Sequence, residues 1–241
     1  MSRLKFKNSL FILFFSLLFP NLMHAEELYL KSFGHSKFLI KDDKHSILIN
    51  PFKATGCALG LKDSHEIKND FILASSRLAD EGYNPSNELM FVEPGTYKYK
   101  QLILNGISVA HDRFEGRRYG MATVWVWNQN NFKIVHMGGA AGQISIKDKI
   151  LINRPDVLFI SIGGGFKSYN GQEAAALVNN LKPKIVIPVH FLRNKNNVDG
   201  CDFSNEDTFL NNLLGYRIKY IGNEFFLNRK IMKDNIVYIF R

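Results

Sequence analysis

Asp80 and Glu81 are adjacent carboxylates placed just past a short apolar run, Phe71 to Ala74, which Ser75 and Ser76 terminate. A run of that length and composition reads as a strand covered on both faces. In open α/β sheets, sites gather at the carboxyl ends of strands, so two carboxylates there are candidates for ligation or acid–base work. The same pair also suits the solvated first turn of a helix, where the dipole favours acidic side chains. His111 and His190 each close another apolar run. A single histidine at a strand end can equally be a hydrogen-bonded structural group. Gly163-Gly-Gly165 could bring backbone amides close to an anion, but it lacks the Walker lysine pattern and implies no nucleotide.

The elements that must position these residues are short. Leu28 to Phe33, Lys37 to Ile40 and Ile47 to Ile49 read as strands, with Asp42-Asp43-Lys44 as a turn. Asn50-Pro51 breaks the series, and a loop from Pro51 to Lys68 leads to the strand at Phe71. Leu89 to Val92, Thr96 to Tyr99, Leu102 to Leu104 and Ile107 to Ala110 read as an antiparallel series. Pro94-Gly95 and Asn105-Gly106 are its turns, the latter being the strongest hairpin signal in the chain. Ala122 to Trp127 and Phe132 to His136 form a further pair across Asn128 to Asn131. From residue 141 helix and strand alternate: a strand at Asp156 to Ser161, a helix at Gln172 to Leu181, a strand at Ile185 to Val189, and a helix at Asn205 to Leu214 stopped by Gly215. Ile218 to Ile221, Glu224 to Leu227 and Ile236 to Phe240 are the last strands. Strand-rich halves followed by helices predict an α/β fold of two mixed sheets packed together and covered by helices.

Asp70-Phe-Ile-Leu-Ala-Ser-Ser-Arg-Leu-Ala-Asp-Glu-Gly82 resembles the metallo-β-lactamase superfamily segment in which a strand leads into Thr-His-x-His-x-Asp-His. Ser75 stands at the Thr, Ser76 and Leu78 at the first two His, Asp80 at the Asp and Glu81 at the last His. Gly34-His35-Ser36 with Phe38-Leu-Ile40, and Ile47-Leu-Ile-Asn-Pro-Phe52, resemble the opening hairpin of the lactonase-like branch, which includes ascorbate-6-phosphate lactonase. Asn50 takes the place of that branch's usual Asp. Ala110-His111 and Ile187-Pro-Val-His190 match two more histidine positions. In His136-Met-Gly-Gly139, Gly139 replaces the Asp that normally bridges two metals. The spellings around Asn50 and His136 resemble those of a cyanobacterial subgroup.

This resemblance implies an αββα sandwich and a metal-dependent hydrolase of a small ester, lactone or phosphate-bearing substrate. It also implies an eroded centre. Asp80, His111 and His190 are retained, Glu81 is a substitute, and Ser76, Leu78 and Gly139 are not ordinary ligands. At most one divalent ion, zinc, manganese or iron, is expected, because a hydrolytic site needs about three protein ligands and an open position. Oxygen-rich ligation favours a harder ion. A metal-free scaffold remains equally open, and with it a non-catalytic binding or assembly role. Asp80 is the catalytic candidate. His35 is expected to line the same mouth, in a structural or substrate-facing role, whereas His136 is read as structural and His45 and His65 carry no signal. Arg113, Arg117 and Arg118 follow His111 and suit an anionic small-molecule ligand; the alternative is a solvated loop neutralised by Asp112 and Glu115.

The chain of 241 residues carries a formal charge of +9. Arg3, Lys5 and Lys7 precede an apolar run from Leu10 to Phe19, then Pro20 and Met23-His-Ala25, the basic, apolar and small-residue pattern of a secretory leader. A retained anchor is the alternative, although the run is shorter than the ~20 residues that span a bilayer. Cleavage after Ala25 leaves one domain, residues 26–241, with a charge of +6 and no stable membrane anchor. No interleaved basic and aromatic tracts point to nucleic acid. The expected residence is the periplasm or another extracytoplasmic compartment, the thylakoid lumen included. In the family fold, the loops holding Cys57 and Cys201 flank the cleft mouth, and an exported pair is free to oxidise; a bridge and two separate thiols both remain open. Mass spectrometry of the native N-terminus is expected to begin at Glu26; an intact Met1 or Ser2 would refute the leader.

Overall fold

The computed structural model describes residues 26–62, 67–193, 201–233 and 235–241. The expected leader, residues 1–25, and His65 lie outside the described residues.

Strands β1 (Glu27–Ser32), β2 (Phe38–Lys41), β3 (Ser46–Ile49), β4 (Phe71–Leu73) and β5 (Met90–Phe91) belong to one sheet. Next come β6 (Gly95–Tyr99), β7 (Leu102–Ala110), β8 (Met121–Gln129) and β9 (Phe132–His136). The remainder alternates: α1 (Ile146–Ile152), β10 (Val157–Ser161), α2 (Gly171–Leu181), β11 (Ile185–Val189), α3 (Asp207–Asn212), then β12 (Arg217–Ile221), β13 (Glu224–Asn228) and β14 (Ile236–Phe240). The six-stranded sheet runs β13-β1-β2-β3-β4-β5, and the eight-stranded sheet β12-β14-β11-β10-β9-β8-β7-β6. This is the α/β sandwich of two mixed sheets with flanking helices that the sequence pattern implies.

Alternation on β1 turns Leu28 and Leu30 inward, where they meet Phe38, Phe71, Trp125, Phe159, Ile187 and Phe240 between the sheets. β10 and β11 are buried along their whole length, as parallel strands covered on both faces must be. Their outward residues Leu158, Ile160 and Val186 pack in a second core with Ala174, Val178 and Phe209 from the helices. α2 starts with a capping box, Asn170 accepting from the Glu173 amide while Glu173 accepts from the Asn170 amide.

One local expectation is corrected and one alternative is excluded. Asn105-Gly106 is not a turn: both residues lie inside β7, paired with Thr96 and Gly95, and the chain reverses instead at Lys100-Gln101, with Lys100 at φ 51°. Gly106 is required by packing, since a Cβ there would come within 2.8 Å of Thr123 Cγ2 and 3.1 Å of the Trp125 ring. Asp80 and Glu81 occupy a turn rather than the start of a helix.

Backbone direction explains where a site can form. β3, β4 and β5 are mutually parallel, as are β9, β10, β11, β14 and β12. Two antiparallel steps bring β1 into line with β3, and β7 into line with β9. His35, Asn50, Ser75, His111, Gly139 and His190 therefore all follow strands that run the same way within their sheet. Cys57 is bonded to Cys201, Cα atoms 4.8 Å apart across 144 residues. That link tethers the segment carrying Phe203, whose ring stacks on His35 at 5.7 Å. By loop-closure entropy it contributes roughly 3 to 5 kcal/mol. Thiol titration of denatured, unreduced protein is expected to find no free thiol, and two per chain in material from an oxidising compartment would refute the bond.

Candidate metal and hydrolytic site

Glu81 is fully buried, and one of its oxygens does most of its bonding. Oε2 accepts from Ser75 Oγ at 2.7 Å, from Ser76 Oγ at 3.0 Å and from His111 Nε2 at 2.9 Å. Ser75 is itself held by Asn50, whose Nδ2 donates to Ser75 Oγ and whose Oδ1 accepts from the Ser75 amide, both at 2.8 Å. The other nitrogen of His111 faces the Lys167 carbonyl at 2.9 Å. A histidine between a carboxylate and a carbonyl donates from both nitrogens, which only the imidazolium can do. Burial opposes that charge, but the Glu81 carboxylate outweighs it and raises the His111 pKa to about 9. Burial likewise opposes the Glu81 charge, yet the charge and hydrogen bond of His111, with the hydrogen bond from Ser75, hold its carboxyl well below the ordinary range.

Gly139 lies against this pair. A Cβ there would overlap both His111 Cε1 and Glu81 Oε1, so the position has no room for the aspartate that the resemblance would place there.

The second cluster lies beside it. His35, Asp80 and His190 offer donor atoms that all lie within 4.8 Å of one another. His190 Nε2 is 2.6 Å from His35 Nε2, and the His190 amide donates to the His35 carbonyl at 3.0 Å. His35, His190 and Asn50 all have positive φ, 52°, 55° and 42°, a sparsely populated region for residues other than glycine that collects at functional sites. Phe52 and Phe203 flank the imidazoles. Burial depresses the His35 pKa to about 4 against the pull of Asp80 and Glu81, and burial together with His35 drives His190 well down. Both rings are neutral at neutral pH, the form that ligates metals. Glu81 Oε1 and His190 Nδ1 are buried without a hydrogen-bond partner among the described residues. Two neutral imidazoles and a carboxylate, with an unsatisfied carboxylate oxygen 4.0 Å from His190 Nε2, fit a divalent ion.

The ligand set expected from sequence is thus divided. Asp80 and His190 stand together with His35, whereas Glu81 and His111 are bonded to each other. Lys167, absent from the sequence reading, forms an ion pair with Asp80. Arg113 is committed to Glu173, with bonds of 3.2 and 2.7 Å, and to the carbonyls of Gly165 and Ser168. Arg117 is exposed beside Glu115. Arg118 lies over the Tyr119 and Phe166 rings. The loop of these arginines is shaped by Asp112, which accepts from the amides of Phe114, Gly116, Arg118 and Tyr119; burial opposes its charge, but these bonds lower its pKa to about 2. A cavity of about 710 Å³, lined by Tyr29, Leu39, Asp43 and Phe226, opens at the opposite edge of the sheets and shares none of these residues.

A two-sheet sandwich with histidines and carboxylates at the carboxyl edges of its strands defines a class of metal-dependent hydrolase folds. The chain matches the family described as the beta-lactamase superfamily domain over residues 29–190, and it belongs to that family. A UPF0173 metal-dependent hydrolase of Polynucleobacter asymbioticus is 39% identical over 66 residues, which span 27% of this chain and 23% of that protein. Among solved structures, a Thermotoga maritima protein assigned to the Zn-dependent hydrolases of the metallo-β-lactamase superfamily superposes with a TM-score of 0.68, at 20% identity, covering 88% of this chain and 98% of its own. An isothiocyanate hydrolase from Delia radicum gut bacteria gives 0.60 at 11% identity, covering 87% and 95%.

The buried charges set the pH dependence of metal-free stability. His111 has a raised pKa, so its contribution is complete below about 6.5, the unfolded imidazole value, and is lost as pH rises towards 9. His35 and His136, each near 4, and His190 have depressed values; their contributions are present above 6.5 and are lost as pH falls. Chelator-treated protein is therefore expected to be most stable near pH 6.5 in denaturant titrations. Glu81→Gln is expected to remove the decline above that pH and to lower stability by about 3–5 kcal/mol, the range for breaking a buried pair. Stability that stays level or rises from pH 6.5 to 9 would contradict the imidazolium.

Proposed function

We propose that the chain is an exported metal-dependent hydrolase acting on a small ester, lactone or phosphate-bearing substrate, with one divalent ion, zinc, manganese or iron, held by His35, Asp80 and His190. The convergence of these three residues at one strand edge carries this reading, and the family membership supports it. A bound divalent ion supplies Lewis acidity towards a carbonyl or phosphoryl oxygen. The protein's own part is positional. Left-handed backbone at His35 and His190 aims both imidazoles at Asp80, Phe52 and Phe203 exclude water from one side, and Lys167 with Arg118 makes the mouth attractive to anions.

A second reading, a binding protein without catalysis, is favoured by one observation: Glu81 pairs with His111 and Asp80 with Lys167, so the carboxylates are neutralised internally.

Elemental analysis after dialysis is expected to give about one metal per chain and no more, since three ligands suffice for only one ion. Asp80→Ala and His190→Ala should each abolish hydrolysis in a screen of lactones and phosphate esters supplied with zinc, manganese or iron. They should also abolish the metal-dependent gain in stability, which at about 100 Kd of ion is ~2.7 kcal/mol. No hydrolysis, with thermal stability indifferent to every ion, would select the binding protein.

A further inference from the structure

The Lys167 ammonium is the feature that neither family resemblance nor motif accounts for. It pairs with Asp80 Oδ2 across 87 residues of sequence, and this contact occupies the carboxylate that the proposed ion needs. The two side chains retain 25% and 17% exposure, whereas Glu81 and His111 retain none. The backbone of Lys167 is nevertheless fixed. Its carbonyl faces His111 Nδ1, Gly163 and Gly164 before it bridge to Asn170 and Phe203, and the Phe166 amide donates to Asp202 at 3.1 Å. A rigid loop thus delivers a compact cation on a flexible four-carbon stem. The ammonium also lies 5.7 Å from the centroid of the Tyr119 ring, within cation–π range. The ammonium thus touches the carboxylate and the ring from one position, and loss of Asp80 would leave it the ring.

We propose that Lys167 is a displaceable internal cation: it holds Asp80 while no ion is bound, and a divalent ion that takes Asp80 frees the ammonium from the carboxylate, leaving it the Tyr119 ring at the site mouth. This rests on the reading that His35, Asp80 and His190 hold the ion. Charge supports the exchange, because an ammonium left against Asp80 beside a divalent ion would face a like charge at close range. Apparent metal affinity then equals the intrinsic affinity reduced by the fraction of molecules in which Asp80 is open. Next to Arg118, which lies over the same Tyr119 ring at 5.1 Å, the released ammonium forms a basic pair suited to a carboxylate or phosphate on the substrate.

The test is titration of chelator-stripped protein with manganese and with zinc, comparing wild type, Lys167→Met and Lys167→Gln. Amine-reactive labelling of Lys167 is followed by peptide mass spectrometry with and without metal. Both variants are expected to bind about tenfold more tightly than wild type, the factor for an ion pair of ~1.4 kcal/mol, and labelling of wild-type Lys167 should increase when metal is added. His190→Ala in the Lys167→Met background should remove the gain. Equal or weaker binding in both lysine variants, or labelling unchanged by bound metal, overturns the role of Lys167 and leaves the metal group standing. Failure of wild type and of both variants to bind either ion overturns the metal group itself, and the exchange with it.

Discussion

A carboxylate with no exposure to solvent must be neutralised, and around Glu81 the architecture of this site is organised to do so. Removing such a charge from water costs several kcal/mol even after relaxation. The cost is offset by three hydrogen bonds converging on Oε2 and by the charge on His111. Two of the three donors have their own support: Asn50 orients Ser75, and the Lys167 carbonyl fixes His111. Three connected groups thus belong to loops after three different strands, and a change at any of them leaves a buried charge short of a partner.

The same constraint explains the small residues nearby. Gly139 must lack a side chain because His111 and Glu81 fill the space its Cβ would enter, and Gly138, at φ 56°, must also lack one because Ser75 stands against it. Ser161 Oγ donates to the Gly138 carbonyl, and the Gly138 amide donates to His136 Nδ1 at 3.1 Å. The tight turn after β9 is therefore bound on both sides, and its glycines leave the space that Ser75, Glu81 and His111 fill.

Legibility in the sequence follows the range of the interaction concerned. β10, β11 and β14 are continuous apolar runs whose period and length identify them directly, and α2 was legible within one residue because capping and the Pro183 stop are local signals. Asn105-Gly106 misled because its dipeptide signature is local, while the reason for Gly106, a Trp125 ring and a Thr123 methyl packed against it, comes from the neighbouring strand. At the site, the motif positions Asp80, Glu81, His111 and His190 fall at one edge of the sandwich, but the structure divides them between the His35–Asp80–His190 group and the Glu81–His111 pair. Their partners could not be assigned, since whether Glu81 faces an ion or His111 depends on a residue 30 positions away. Lys167 left no signal: a lysine after a glycine turn has no periodicity or motif to set it apart, and its partner is 87 residues distant.

Two carboxylates in the cleft have two protein cations to match, His111 on Glu81 and Lys167 on Asp80, and the difference between the pairs is one of solvent. The first pair is sealed, so separating it would leave two uncompensated charges in a low-dielectric interior, and the desolvation penalty that resists its formation equally resists its opening. The second is partly wet, and ion pairs in that setting contribute about 0–1 kcal/mol when most exposed and somewhat more when half-buried. An incoming divalent ion can compete with an ammonium under those terms. It cannot compete with the imidazolium without first unmaking the hydrogen bonds of Ser75, Ser76 and the Lys167 carbonyl. Of these two carboxylates only Asp80 is exchangeable, and the difference in burial between the two pairs decides which one it is.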